Sequence, residues 1–202
     1  EEAQQVVSSI GLYPDTALQS YVSRIGHELA ARTERPSLPW TFQVVNEPVV
    51  NAFALPGGFV FVTRGIMGHF NSEAELASVL GHEIGHVTAR HSAQQISRAQ
   101  LAQLGLGVGS ILSSDVARYG GVASAGLGVL FLKFSRDDES QADALGFRYA
   151  LSDGYDVRAM KDVFKTLERV GGGRGRVPEW QSTHPSPESR VADTEARLAK
   201  VT

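Results

Sequence analysis

A chain of 202 residues that is 42% hydrophobic and 20% charged is long enough for one domain with its own core, and balanced like an ordinary globular protein. A net charge of −3, with no basic run interleaved with aromatics, excludes a built-in electrostatic pull toward nucleic acid or an anionic membrane surface. The absence of cysteine removes disulfides, thiolate metal sites and thiol catalysis together. No basic segment followed by an apolar stretch opens the chain, so no signal peptide is visible in it.

In chain order, Asp15 can cap a helix whose apolar stripe is Leu18, Tyr21, Val22, Ile25 and Leu29, stopped by Pro36 and Pro39. Trp40 to Val45 and Asn51 to Leu55 read as short strands, and Phe59 to Thr63 as the clearest strand, after the turn signal Pro56-Gly57-Gly58. Ser72 and Glu75 have capping-box spacing. From there Leu76, Val79, Leu80, Ile84 and Val87 predict a helix continuing past Arg90. Residues 101–132 hold two apolar, glycine-rich stretches divided by Ser113-Ser114-Asp115. Each falls short of the ~20 residues that a straight transmembrane helix needs. They read as a buried helical hairpin, with a lid or a membrane-contacting element as competing readings. Ser135 and Asp138 cap a further helix through Leu151. Asp156 opens another, with Met160, Val163, Phe164 and Leu167 on one face, and Pro187 suits the first turn of a last one. The glycine loop at 171–175 lacks a Gly-Lys-Ser/Thr ending and a preceding strand, so it carries no nucleotide-binding expectation. Neither an internal repeat nor a second domain is evident.

The chemistry is concentrated in His82-Glu83-Ile84-Gly85-His86. Residues four apart on a helix lie about 40° apart around its axis, so both imidazoles can reach one metal ion. Glu83 is displaced to one side of them. A zinc ion lowers the pKa of water it binds to about 7, and a carboxylate beside it can take the proton as that water attacks a carbonyl, then pass it to the leaving amine. A catalytic zinc usually has three protein ligands and one open position. The position ten residues after His82 holds Ser92, and no glycine turn precedes it. On a continuous helix His91 lies about 180° from His82 and faces away, as a surface or packing histidine. The other source is the acidic helix start at 135–143, where Glu139 and Asp143 share a face. One carboxylate can bind the metal, and the other can accept the free N–H of a ligating histidine.

These residues resemble peptidase family M48, zinc metallopeptidases that include bacterial envelope proteases and membrane-embedded and mitochondrial members. The resemblance covers about residues 45–195. It rests on Asn51 through Gly58, on Gly81 through Val87, on Glu139 through Asp143, and on Thr183-His184-Pro185 followed by Arg190. It implies a zincin-like α+β fold, predominantly helical, with a small sheet whose edge strand flanks the active-site helix. It further implies one zinc ion on His82, His86 and Glu139, with Asp143 as the partner of a ligand. Asn51, Ala52, Phe53 and Ala54 would form an edge strand that binds extended polypeptide by strand addition, with Phe53 as a candidate pocket wall. His184 would sit at the rim, either donating to the oxyanion or filling the open zinc position. Arg190 and Arg136 would add positive charge. The expected function is a metalloendopeptidase acting on unfolded or misassembled proteins in the bacterial periplasm or cell envelope, with peripheral membrane contact through 101–132 as an option. The alternative is a protease-silent, client-binding protein latched by His184. Residues 1–202 are expected to form a single peptidase domain, without the helical-repeat domain that many envelope members carry.

Overall fold

The computed structural model describes residues 2–103, 133–171, 180, 183–184 and 187–201. Its elements are α1 (Glu2–Ile10), α2 (Thr16–Ala30), β1 (Thr41–Val45), β2 (Ala52–Leu55), β3 (Phe59–Thr63), α3 (Arg64–Met67), α4 (Glu73–Thr88), α5 (His91–Gln103), α6 (Arg136–Ser152), α7 (Ala159–Gly171) and α8 (Pro187–Leu198). The chain is therefore α+β and mostly helical around one small sheet, as expected.

Caps fix where the helices begin. Asp15 accepts from the Leu18 N–H at 2.9 Å. Ser135 and Asp138 form the full reciprocal box. Only half of the box forms at α4. Ser72 Oγ accepts from the Glu75 N–H at 3.2 Å, but the Glu75 carboxylate reaches one residue further back, to the Asn71 N–H at 2.7 Å.

The sheet order is β1-β3-β2, with β1 parallel and β2 antiparallel to β3. Both outer strands have an edge, and the two edges differ. On β1 the Gln19 side-chain amide pairs both ways with the Val44 backbone, at 2.7 and 2.8 Å, and Leu12 bridges Val45. The edge of β1 is thus closed to a further strand. On β2 the Thr63 N–H donates to the Asn51 carbonyl. By alternation, the backbone groups of Ala52 and Ala54 then point to the outer edge.

Side chains of β2 divide by the same period of two. Ala52 and Ala54 join the main core with Leu80, Ile84 and Val87 of α4. Phe53 and Leu55 join a second cluster with Val6, Val45 and Phe61, and the Phe53 ring stacks on Phe61 at 5.1 Å. Phe53 therefore packs as a core aromatic in the cluster that excludes α4, the other of the two readings open for it beside a pocket wall. Its cover is α1, a helix that the reading in chain order passed over.

Helices α4 and α6 approach backbone to backbone. A Cβ added at Gly146 would lie 2.7 Å from the His82 nitrogen, and one at Gly85 2.8 Å from the Ala142 oxygen. Glycine at these positions allows an approach that any larger residue would hold apart. That approach sets the start of α6, with Glu139 and Asp143, beside His82 and His86.

The expected continuation of α4 past Arg90 does not occur. The helix ends at Thr88, with the Ala89 N–H donating to the Gly85 carbonyl. Arg90 takes φ +64°, the left-handed conformation that ends helices, and α5 starts at His91 in a new direction. The hairpin, lid and membrane readings of 101–132 lie outside the described residues, apart from the end of α5. Residues 172–175 of the glycine loop lie outside them too. Among the described residues, no helix is long and apolar enough to cross a membrane.

Candidate metal centre

Four buried side chains, His82, His86, Glu139 and His184, present ligand atoms that all lie within 4.8 Å of one another. Helix α4 supplies the two histidines, one turn apart, with Nε2 atoms 3.0 Å from each other. Helix α6 supplies Glu139, whose Oε1 is 3.3 Å from His86 Nε2 and whose Oε2 is 3.6 Å from His82 Nε2. His184 comes from the segment before α8, held by its own N–H donating to the Trp180 carbonyl at 2.8 Å. Its ring stacks on Trp180 at 3.9 Å, while Phe134 stacks on His86 at 3.9 Å. The aromatic walls bury these groups, which strengthens the charge interactions among them.

The donor set fits a divalent cation of the zinc type. Asp143 Oδ1 lies 2.8 Å from His82 Nδ1. An ionised carboxylate only accepts, so Nδ1 carries the proton and Nε2 presents a lone pair. Two such nitrogens and a carboxylate converge on one point. Tetrahedral zinc–nitrogen bonds of about 2.0–2.1 Å place two nitrogens about 3.3 Å apart, close to the spacing found. Both oxygens of Glu83, both of Glu139, and His184 Nε2 are buried without a hydrogen bond, although Glu83 Oε1 lies 3.5 Å from His184 Nε2 and Glu139 Oε2 lies 3.0 Å from Arg190 Nη1. Leaving such atoms unpaired costs on the order of 1–3 kcal/mol each, and more when charged, unless a cation takes them.

The family model "Peptidase family M48" matches residues 16–198. The chain belongs to peptidase family M48. It is 35% identical to the beta-barrel assembly-enhancing protease of Yersinia pestis and 33% identical to that of Escherichia coli, over 96% of this chain and 42% of each relative. It is also 38% identical to a mitochondrial metalloendopeptidase of Arabidopsis thaliana, over 80% of this chain and 32% of that protein. The chain thus spans less than half the length of these curated relatives.

Around this M48 site, charge is arranged in pairs. Arg190 of α8 holds Asp143 with two hydrogen bonds, Nε to Oδ2 at 2.8 Å and Nη2 to Oδ1 at 2.6 Å. Its Nη1 lies 3.0 Å from Glu139 Oε2, and its guanidinium stacks over Phe164 at 4.2 Å. Burial works against the charge on Asp143, but Arg190 and His82 hold its carboxyl below the usual range. Burial pushes Glu139 up to about 7 despite Arg190. Burial, with Glu139 nearby, pushes Glu83 well above the ordinary carboxylate range. Burial holds His82 down to about 4 and keeps His86 and His184 low as well. All three imidazoles are therefore neutral near pH 7, the form that binds metals.

Of the residues singled out in the sequence, the structure gathers His82, Glu83, His86, Glu139, Asp143, His184 and Arg190 into one site. Arg136 is exposed at the start of α6 and makes no contact there. His91 is the correction. It is buried, its Nδ1 lies 3.0 Å from His86 Nδ1, and its Nε2 lies 3.0 Å from Gln141 Oε1. The expectation that it faces away assumed an unbroken helix, and Arg90 breaks it. Trp180 and Phe134 were also missed, since a single aromatic carries no sequence signal that separates a wall of this site from ordinary core.

Proposed function

We propose that this M48 chain is a zinc-dependent metalloendopeptidase that hydrolyses extended segments of unfolded or misassembled proteins in cell-envelope quality control. The observation that carries this reading is the Glu83 carboxylate, buried without a hydrogen bond on the same helix as two converging imidazoles and 3.5 Å from His184 Nε2. A structural metal site needs no such group. His82, His86 and Glu139 would hold the ion, which when bound supplies Lewis acidity to the substrate carbonyl and acidifies attacking water. Glu83 takes the proton from that water and delivers it to the leaving amine. Its raised pKa is the direction that suits a base working near neutrality. Asp143, held ionised by Arg190, accepts from Nδ1–H of His82 and so favours that tautomer.

Among the described residues no strand pairs with the outer edge of β2, which favours substrate binding by strand addition. Pairing would centre on Ala52, because the Ala54 carbonyl already accepts from Ser92 Oγ at 3.0 Å. Asn51 is buried at the start of the strand with its Oδ1 unpartnered, within reach of an incoming backbone. Recognition through backbone groups suits clients that share disorder rather than sequence.

His184 has a resting role in the same reading. Its Nδ1 lies 2.8 Å from Thr183 Oγ1 and 3.3 Å from the Trp180 carbonyl, to which that hydroxyl can donate. The arrangement that satisfies all three puts the proton on Nδ1 and leaves a lone pair on Nε2, facing the cluster. Neutral His184 would then be able to hold the ion as a fourth ligand beside His82, His86 and Glu139, and would have to swing aside for a substrate to take its place. A bacterial periplasmic or envelope location is part of the same proposal; the relative named as mitochondrial marks the other compartment to be tested.

Zinc-loaded chain and its Glu83→Gln variant, each incubated with unfolded casein, test this function. The parent should cleave and lose activity to a chelator, and the variant should fold, keep its metal and fall by about a hundred- to ten-thousand-fold. Cleavage at the parent rate by Glu83→Gln would refute the mechanism.

A further inference from the structure

His91 stands outside the ligand set, yet it is held more closely than its distance from the motif suggests. Because Arg90 adopts φ +64°, the chain reverses after α4 and brings His91 back beneath His86, five residues after it. The two Nδ1 atoms lie 3.0 Å apart, and both rings are buried. A contact of that length between two imidazole nitrogens requires one proton between them.

The surroundings decide where that proton sits. On its far side His91 Nε2 faces two oxygens, Gln141 Oε1 at 3.0 Å and Asp138 Oδ1 at 3.6 Å. Both are acceptors, so Nε2 carries the hydrogen. With its hydrogen on Nε2, the His91 ring offers a lone pair on Nδ1, and that lone pair accepts from the Nδ1–H of His86. With its Nδ1 protonated, His86 has no choice but to present the Nε2 lone pair to the site. The chain of donors runs from His86 to His91 to Gln141, and it mirrors the hold of Asp143 on His82.

We infer that His91 is a positioning residue for the metal ligand His86, fixing the tautomer and ring plane of His86 through an Nδ1–Nδ1 hydrogen bond that Gln141 and Asp138 orient. The inference rests on the metallopeptidase reading, since it assigns His86 to a metal. The consequence is an asymmetric site. His82 is backed by a carboxylate, which strengthens its donor power, while His86 is backed by an imidazole, which orients it without adding negative charge beside the buried Glu139. Partners of this kind typically change metal affinity by about ten- to a hundred-fold when removed.

The test substitutes His91 by Asn, by Gln and by Phe in the same chain. It reads zinc and cobalt affinity by chelator competition, apart from any hydrolysis. Oδ1 of Asn is bonded to Cγ as Nδ1 of His is, so His91→Asn keeps an acceptor for His86 and should stay within a few-fold of the parent. His91→Gln, whose polar atoms reach toward the Nε2 position, and His91→Phe should both lose about ten- to a hundred-fold. A role in packing alone would rank Phe, the closest in volume, as the mildest change. That ranking would overturn the inference, as would equal affinities in all four proteins. Because Gln141 is exposed on α6, Gln141→Met leaves packing untouched and provides a variant that folds. It should weaken affinity several-fold, whereas Gln141→Glu, which keeps an acceptor, should not. Nitrogen-15 spectra of the imidazoles give a direct check: the inference requires an Nε2–H tautomer at His91 and an Nδ1–H tautomer at His86. The reverse pair of tautomers would refute it. If the parent bound neither zinc nor cobalt, the metallopeptidase reading itself would fall and the inference with it. Binding in the parent that every variant matched would refute only the inference.

Discussion

Replacing Gly146 by Ala probes the contact that assembles the site. The new Cβ would lie 2.7 Å from the His82 nitrogen and 2.8 Å from the Gly81 carbonyl carbon, where ordinary contact begins at 3.4 Å. Both neighbours are helix backbone, so neither can rotate away, and α6 must retreat from α4 by about 0.7 Å, the difference between 3.4 and 2.7 Å. Overpacking of this kind costs about 1–3 kcal/mol. In a domain of this size that corresponds to a melting temperature lower by about 2–12 °C. The same retreat carries Glu139 away from His86 Nε2, now 3.3 Å from it. Metal–ligand distances tolerate only about ±0.2 Å, so zinc affinity should drop at least tenfold along with stability. The assays are thermal unfolding of the metal-free chain and zinc titration against a chromophoric chelator. Gly68→Ala serves as control, since Gly68 already has φ −68° and its nearest neighbour is at 3.6 Å; it should change stability by less than about 0.5 kcal/mol. Gly146→Ala with the stability and zinc affinity of the control would show that close approach of α4 and α6 does not position the site.

His184→Ala should raise the cleavage of unfolded casein by the resting chain, because it removes the fourth ligand; a fall would assign His184 to oxyanion stabilisation instead. Proton release on zinc binding should depend on pH through Glu139. Measured by calorimetry in buffers of different ionisation enthalpy, and in the Glu83→Gln background to remove the second raised carboxyl, it should approach about one proton at pH 6 and fall toward zero at pH 8.5. The sign follows from the pKa values. Glu139, at about 7, carries a proton at pH 6 that the metal must displace, whereas His82, at about 4, carries none there. Apparent affinity therefore rises with pH through about 7. Release that grew with pH would contradict the assignment of the proton to Glu139.

Much of this site is legible in the sequence because its chemistry is local. His82, Glu83 and His86 share one helical turn, and Glu139 and Asp143 share another, so a period of 3.6 brings each set to one face. The strands and caps were legible for the same reason, as they depend on neighbouring residues. What escaped is what depends on departures from periodicity. Arg90, a residue with no special liking for positive φ, redirects the chain, and the helical extrapolation from His82 turned His91 the wrong way. Phe53 was legible as a strand residue, but the face it takes depends on α1, whose apolar positions Val6, Val7 and Ile10 were available and went unused. The closeness of α4 and α6 rests on Gly81, Gly85 and Gly146, and a glycine in a helix carries no label that names the backbone it lies against.

The central claim is that His82, His86 and Glu139 form a zinc site with His184 as its resting fourth ligand. The most direct measurement is elemental analysis of the purified chain, joined to X-ray absorption at the zinc edge for the parent and for His184→Ala. The account predicts one zinc per chain, three imidazole nitrogens in the parent shell and two in the variant, with metal retained. A chain that holds no zinc, or a parent shell with only two imidazoles and water, would contradict it.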